Sequence, residues 1–127
     1  MKYLLDTHVL LWFLSQQNKI SSQVLEQCSD PANQPYFSLT SIWEIQIKHQ
    51  LGKLTLDIPI QKIIHTANEK NILSLDIKEQ HILLLDNLPY HHKDPFDRLI
   101  IAQAKAEKMT LISADKIIKQ YDVDLLW

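Results

Sequence analysis

The chain has 127 residues, of which 46% are hydrophobic and 22% charged, a size and composition typical of one globular domain spanning residues 1–127. Its formal net charge of −2 is not the balance of a protein that binds nucleic acid through overall positive charge alone. The single cysteine, Cys28, excludes an internal disulfide framework, and the apolar runs are too short to span a bilayer.

The first half of the chain alternates short strands with helices. The predicted elements are a strand at 2–5, helices at 7–15 and 21–30, a loop at 30–35, a strand at 36–39 and an amphipathic helix at 40–54. Gly52 is the residue type favoured just past a helix C-terminus, so the last of these helices is expected to end near it.

The second half continues the alternation. The predicted elements are a helix at 59–71 opened by Pro59, a strand at 72–76, a short helix at 78–89, a helix starting at Pro95, a strand at 109–115, a helical turn at 116–121 and an edge strand at 124–127. Strands that alternate with helices predict an α/β fold with a parallel sheet and helices on both faces.

Four acidic side chains fall at the ends of these elements. Asp6 follows the first strand, and Asp115 follows the strand "TLIS". Glu44 lies near the start of the third helix, and Asp97 lies in the first turn of the helix that Pro95 begins. Sites in open parallel sheets form outside the carboxyl ends of the strands, so we expect these acids to meet at that edge.

Asp94 and Asp97 flank Pro95 at the start of one helix. Asp94 predicts an N-cap, with proline at the first helical position, and such a cap typically contributes about 1 kcal/mol. Asp97 is harder to explain as a cap, because Asp94 already fills that role.

The other acids also have structural explanations. The spacing of Ser41 and Glu44 matches a capping box, so a capping role and a metal-ligand role are equally favoured for Glu44. Asp6 and Asp115 could cap the helices that they precede, although Thr7 beside Asp6 is an equally able cap.

Taken together, the four acids favour a metal site. Carboxylates gathered at one sheet edge repel one another unless a hard cation lies among them, and Mg²⁺ and Mn²⁺ both prefer such oxygen ligands. A cation of this kind can lower the pKa of a water molecule and stabilise charge developing at phosphorus. The residues alone therefore predict metal-dependent phosphoryl chemistry.

Four segments resemble the PIN-domain ribonucleases, most closely the toxin half of VapBC-type toxin–antitoxin pairs. They are "LLDTHVLLW", "SLTSIWEIQIKHQLGKL", "HHKDPFDRLIIAQA" and "LISAD", which come in the family's order and span nearly the whole chain. The resemblance implies a three-layer α/β/α sandwich with a parallel sheet of four or five strands.

The resemblance also implies an activity, a cofactor and partners. It implies a Mg²⁺- or Mn²⁺-dependent endoribonuclease that hydrolyses RNA, is inhibited by a co-expressed antitoxin protein and forms a homodimer. The family's acids fall, in order, on Asp6, Glu44, Asp97 and Asp115. The hydroxyls of Thr7 and Ser113 match the small polar residues beside the acids, while Asp94 matches the first Asp of "DPFD" and is not placed on the metal.

The N-terminus "MKYLLD" lacks the features of a secretion signal, so a cytoplasmic location is expected.

Several other residues attract attention. His91 and His92 lie beside Asp94, but no further His or Cys pair has zinc-like spacing, so they are interpreted as loop histidines. His8 is interpreted as a partly buried helix histidine. Arg98 is favoured over the nearby lysines as a basic residue at the rim of the acidic site.

Other classes of protein explain the acids less well. A phospho-receiver domain would have adjacent acids after the first strand and a lysine after the last core strand, where this chain has Asp6-Thr7 and Ala114-Asp115. A haloacid-type phosphatase would have an Asp where His8 stands, and a single glycine leaves no phosphate-binding loop. A catalytically inactive PIN fold that serves as a binding module remains an alternative.

Overall fold

The computed structural model describes residues 1–127 and shows one five-stranded parallel sheet with helices on both of its faces. The strands are β1 Lys2–Leu5, β2 Gln34–Ser38, β3 Leu73–Leu75, β4 Thr110–Ile112 and β5 Leu125–Leu126. The helices are α1 Thr7–Ser15, α2 Ser22–Ser29, α3 Leu39–Gln50, α4 Ile60–Glu69, α5 Glu79–Leu83 and α6 Pro95–Glu107. Short 3₁₀ turns lie at Gln17–Lys19, Leu84–Asn87 and Lys116–Gln120. The predicted α/β/α sandwich is confirmed, with five strands.

The strand order creates a switch point beside β1. The sheet runs β3-β2-β1-β4-β5, so the chain moves outward from β1 to β3 and then crosses back to add β4 on the other side of β1. Leu5 pairs with Phe37 of β2 and with Ile112 of β4, which aligns the carboxyl ends of the three central strands. Such a switch point leaves a crevice at the carboxyl edge.

Two apolar cores cover the two faces of the sheet, because successive side chains of a strand point to opposite faces. Tyr3 and Leu5 pack with residues of α1 to α4 in one core. Leu4 packs with α6 residues such as Ile101 in the other core. No helix of the fold combines the length and the hydrophobicity needed to cross a bilayer.

Two prolines shift the predicted element boundaries. Pro35 lies inside β2, which starts at Gln34 rather than at Tyr36. The missing N–H is tolerated there because pairing between β2 and β3 begins only at Tyr36. Pro59 is the N-cap of α4 rather than its first residue.

Gly52 ends the α3 segment as predicted, with a φ of +72° in the left-handed region. A Cβ added there would meet nothing within 4 Å, so only the backbone conformation resists a side chain. Because that conformation costs an L residue about 1–2 kcal/mol, Gly52→Ala is expected to lower the free energy of unfolding by about 1 kcal/mol. Urea denaturation measures it, with Gln50→Ala at the exposed end of α3 as the control. A Gly52→Ala variant as stable as the parent would contradict the assignment.

Candidate metal centre

The structure brings the four predicted acids to the carboxyl edge of the sheet. Asp6 directly follows β1, and Asp115 lies just after β4. Glu44 lies on α3, which follows β2, and Asp97 lies in the first turn of α6. Helix α6 leads into the start of β4, so its N-terminus lies at the same edge as the carboxyl end of that strand.

Asp6 is both a helix cap and a member of this group. One of its oxygens accepts a hydrogen bond from Val9 N at 2.9 Å, so Asp6 rather than Thr7 caps α1. The other oxygen accepts a hydrogen bond from the hydroxyl of Ser113. Burial raises the pKa of the Asp6 carboxyl, although both hydrogen bonds act in the opposite direction. Ser113 therefore orients the acid, as expected for a polar residue beside it.

Glu44 is buried and is not part of a capping box. Helix α3 starts at Leu39 and is capped by Ser38, so Ser41 lies inside the helix and the capping-box interpretation is wrong. Instead, Glu44 Oε1 lies 2.5 Å from the hydroxyl of Thr7, which also lies 2.9 Å from Ser41 Oγ. These contacts tie α3 to the start of α1.

Lys48 is the cation that contacts the acidic group. Its ammonium forms an ion pair with Glu44 Oε2, one turn earlier on α3. Burial acts to lower the Lys48 pKa, but the hydrogen bond and charge of Glu44, together with the charges of Asp94 and Asp97, outweigh it and the net shift is upward. Lys48 therefore remains charged beside the acids.

Asp94 and Asp97 have different surroundings at the start of α6, and the predicted cap role of Asp94 is confirmed. Asp94 caps α6 by accepting hydrogen bonds from Phe96 N at 2.8 Å and Asp97 N at 3.1 Å. Burial, followed by the negative charges of Asp94 and Glu44, raises the pKa of Asp97 to about 7. A nearby cation would stabilise the ionised form of this carboxyl, which burial and the neighbouring acids disfavour.

His92 lies inside the acidic group, which no sequence pattern indicated. Its Nε2 is 2.9 Å from Asp115 Oδ2 and 3.1 Å from Asp97 Oδ2. Asp115 also caps the following 3₁₀ turn through Ile117 N at 2.9 Å. His92 does lie in a loop, as interpreted, but that interpretation missed the contacts of its ring with two acids, because those acids lie on other elements.

Gln103 joins α3 to α6 behind the acids. Its buried Oε1 accepts hydrogen bonds from the hydroxyls of Ser38 at 2.5 Å and Thr40 at 3.1 Å. Its Nε2 donates to Asp76 O at 3.3 Å. This network fixes the start of α3 against α6, and with it the placement of Glu44 relative to Asp97.

Two further predictions are corrected. Arg98 is 5% exposed, and its guanidinium donates to the carbonyls of Pro89 at 2.7 Å and Leu88 at 3.1 Å. It therefore holds a loop and does not form a basic rim. His8 is exposed rather than partly buried.

The donor set fits a hard divalent cation. A cavity of about 290 Å³ is lined by Asp6, Asp97 and Asp115, together with His8, Trp12 and Ala114, and no lysine or arginine lines it. Three aspartates lining one cavity, with no lysine or arginine beside them, offer oxygen ligands of the kind that Mg²⁺ and Mn²⁺ prefer.

A family model for the PIN domain matches residues 3–124. No curated protein shows significant sequence similarity to the chain.

Solved structures share the fold at low sequence identity. A chain of VapBC2 from Rickettsia felis, bound to a DNA fragment from the promoter, has a TM-score of 0.77 and 19% identity, with 100% of this chain and 99% of that chain covered. VapBC-1 from nontypeable Haemophilus influenzae gives a TM-score of 0.70 and 20% identity, with 99% and 97% covered. A toxin–antitoxin complex from Klebsiella pneumoniae gives 0.61 and 21%, with 98% and 96% covered. At these identities the likeness shows the fold.

Proposed function

The chain belongs to the PIN-domain family of nuclease-type hydrolases, and from this premise we propose that it is a metal-dependent endoribonuclease that acts as the toxin of a toxin–antitoxin pair. The observation that carries the proposal is the cavity lined by Asp6, Asp97 and Asp115 at the switch point of the sheet. We also propose that residues 1–127 act as a single domain, because one sheet carries both apolar cores.

In this proposal, Asp6, Asp97 and Asp115 hold Mg²⁺ or Mn²⁺, with Glu44 beside them. A divalent cation there would supply Lewis-acid stabilisation of the charge that develops on the phosphodiester as water attacks it. Among the protein's own groups, Ser113 orients the Asp6 carboxylate through its hydroxyl, and Thr7 does the same for Glu44.

In this proposal the Lys48 ammonium attracts the negatively charged phosphates of the substrate. Its ammonium is partly exposed and lies beside the acids, so a phosphate group near the cavity would find a positive charge there. The net charge of −2 makes such a local cation more important than the overall charge. An RNA substrate also supports a cytoplasmic location.

The proposed partners are an antitoxin protein and a second copy of the chain. The solved VapBC structures and the Klebsiella toxin–antitoxin complex support the first, since they share this fold over nearly the whole chain. Exposed apolar side chains one turn apart on α3, Leu39 at 37% and Trp43 at 54%, support a protein contact on that helix.

A catalytically inactive binding module is the second candidate. It is favoured by one observation, that both carboxylate oxygens of Glu44 are engaged, one by Thr7 and one by Lys48. The family assignment sets aside the receiver and phosphatase alternatives.

Incubation with total RNA tests the activity on every class of RNA at once. We expect new RNA ends at recurrent positions with Mg²⁺ or Mn²⁺, none with EDTA, and none from Asp115→Asn, because that variant loses a carboxylate of the cavity. Sequencing of RNA ends measures the result. Asp122→Asn, at an exposed acid outside the cavity, is the matched control and should cleave like the parent.

Two outcomes would contradict the proposal. New ends that persist in EDTA or with Asp115→Asn would exclude a metal-dependent reaction at these acids. Stabilisation by Mn²⁺ without any new ends would favour the binding module.

A further inference from the structure

The buried side chain of Tyr121 anchors the loop that carries His92. The Tyr121 hydroxyl accepts a hydrogen bond from His92 N at 2.8 Å and donates to Pro89 O at 2.7 Å. Tyr121 is 6% exposed and belongs to the core beneath the loop. Arg98 also donates to Pro89 O at 2.7 Å. The backbone on the N-terminal side of His92 is therefore anchored by two buried side chains.

The hydrogen bonds of the His92 ring assign its tautomer. Asp94 N donates to Nδ1 at 3.2 Å, so Nδ1 is the unprotonated nitrogen. In a neutral imidazole the other nitrogen then carries the proton. The Nε2–H group then donates to Asp115 Oδ2 at 2.9 Å, and Asp97 Oδ2 lies 3.1 Å from the same nitrogen as a close ion-pair contact.

Distance alone would allow a different assignment. Ligand atoms of His92, Asp97 and Asp115 all lie within 4.8 Å of one another, which would suit a metal held by one histidine and two carboxylates. Binding through Nε2 uses its lone pair, which places the proton on Nδ1. The Nδ1–H group of His92 would then point at the backbone N–H of Asp94, the N-cap of α6, and two donors would oppose each other. The tautomer therefore opposes direct ligation.

We propose that His92 is a positioning residue: its Nε2–H is shared by the carboxylates of Asp97 and Asp115, holds both toward one cavity, and is not a metal ligand. The two acids come from different elements, α6 and the segment after β4, and their charges repel. A donor between them offsets that repulsion and fixes their orientation, as outer hydrogen-bond partners do for metal-ligating carboxylates. The inference rests on the proposed function insofar as these acids hold the cation.

The neighbouring histidine provides a matched control. His91 is exposed, and its ring packs edge-on against Tyr121 with 5.1 Å between centroids. It contacts neither acid by any hydrogen bond. A substitution at His91 therefore alters the same loop without touching the shared donor.

Nitrogen-15 NMR of the imidazole rings tests the tautomer in the unmodified chain. We expect His92 to show a protonated Nε2 in the metal-free protein and to keep it at saturating Mg²⁺, which is diamagnetic. An Nε2 without a proton in the Mg²⁺-bound protein would overturn the proposal, because its lone pair would then be available to the metal.

Metal affinity tests the role by substitution. His92→Gln keeps a side-chain N–H near the position of Nε2, whereas His92→Leu removes it. Calorimetric titration with Mn²⁺ is expected to show a loss of affinity of about 10- to 100-fold for His92→Leu, the range for such outer partners. His92→Gln should recover most of the loss, and His91→Gln should bind like the parent. Equal losses for the two His92 variants, or none for His92→Leu, would overturn the proposal.

The two proposals fail in different ways. Absence of Mn²⁺ binding by the parent chain would contradict the metal-dependent function. An Nε2 without a proton in the metal-free chain would contradict the shared donor alone, whatever the metal does.

Discussion

Asp97→Asn is expected to make the metal-free chain more stable at pH 8 and to reduce strongly its stabilisation by Mn²⁺. Burial and the charges of Asp94 and Glu44 raise the pKa of Asp97 to about 7, so the ionised carboxylate destabilises the folded state relative to the unfolded state. One pKa unit corresponds to about 1.4 kcal/mol, and we expect the neutral variant to gain about 1–3 kcal/mol at pH 8.

The sign of the pH dependence follows from the direction of the shift. A carboxyl whose folded pKa is raised binds its proton more tightly in the folded state than in the unfolded state, where the value is near 3.8. Its contribution to stability is complete below about pH 4 and is lost as the pH rises toward 7. In EDTA, the stability of the parent should therefore fall over that window relative to the variant.

Thermal melts of both proteins from pH 4 to 8, in EDTA and then with Mn²⁺, measure these effects. Mn²⁺ should raise the melting temperature of the parent and have much less effect on the variant, because a ligand stabilises only the form that binds it. Asp122→Asn, which removes an exposed acid, should follow the parent. If Asp97 merely complemented the helix dipole, the variant would instead be less stable by about 0.3–1 kcal/mol in EDTA and Mn²⁺ would move neither protein.

The strands and helices were predictable where local pattern and tertiary packing agree. The apolar run at 7–15 matches α1, and Asp94 with Pro95 starts α6 as expected, because both signals depend on neighbours within one turn. The acids could be placed at one edge because the carboxyl ends of parallel strands meet there.

Sequence pattern gave wrong or incomplete predictions where two nearby residues could fill the same role, and where the decisive contacts join residues far apart in the chain. Ser38 and Ser41 both qualify as caps for α3, and the end of β2 at Ser38 decides between them. His92 meets Asp115 and Tyr121, which lie 23 and 29 positions away, so no spacing rule reveals those contacts. Arg98 stands next to Asp97, but adjacent residues on a helix do not face each other.

Removing the Arg98 side chain is expected to destabilise the fold and loosen the loop that carries His92. The guanidinium lies against the Tyr90 ring, 3.8 Å from its centroid, and it donates to the carbonyls of Leu88 and Pro89. Hydrogen bonds from a charged donor contribute about 1.5–3 kcal/mol each, so Arg98→Met should lower the free energy of unfolding by about 3–4 kcal/mol. Urea denaturation measures the loss.

Arg98→Lys separates geometry from charge. An ammonium keeps the positive charge but lacks the fixed fork of donors that reaches two carbonyls at once, so we expect only partial recovery of stability. Lys93→Met, which removes an exposed cation of the same loop, should be within about 0.5 kcal/mol of the parent. If Arg98→Met were as stable as the parent, the buried contacts would not hold the loop. Because the same loop presents the His92 ring, Arg98→Met should also weaken Mn²⁺ binding more than Arg98→Lys does, which links the stability of this segment to the acidic cavity.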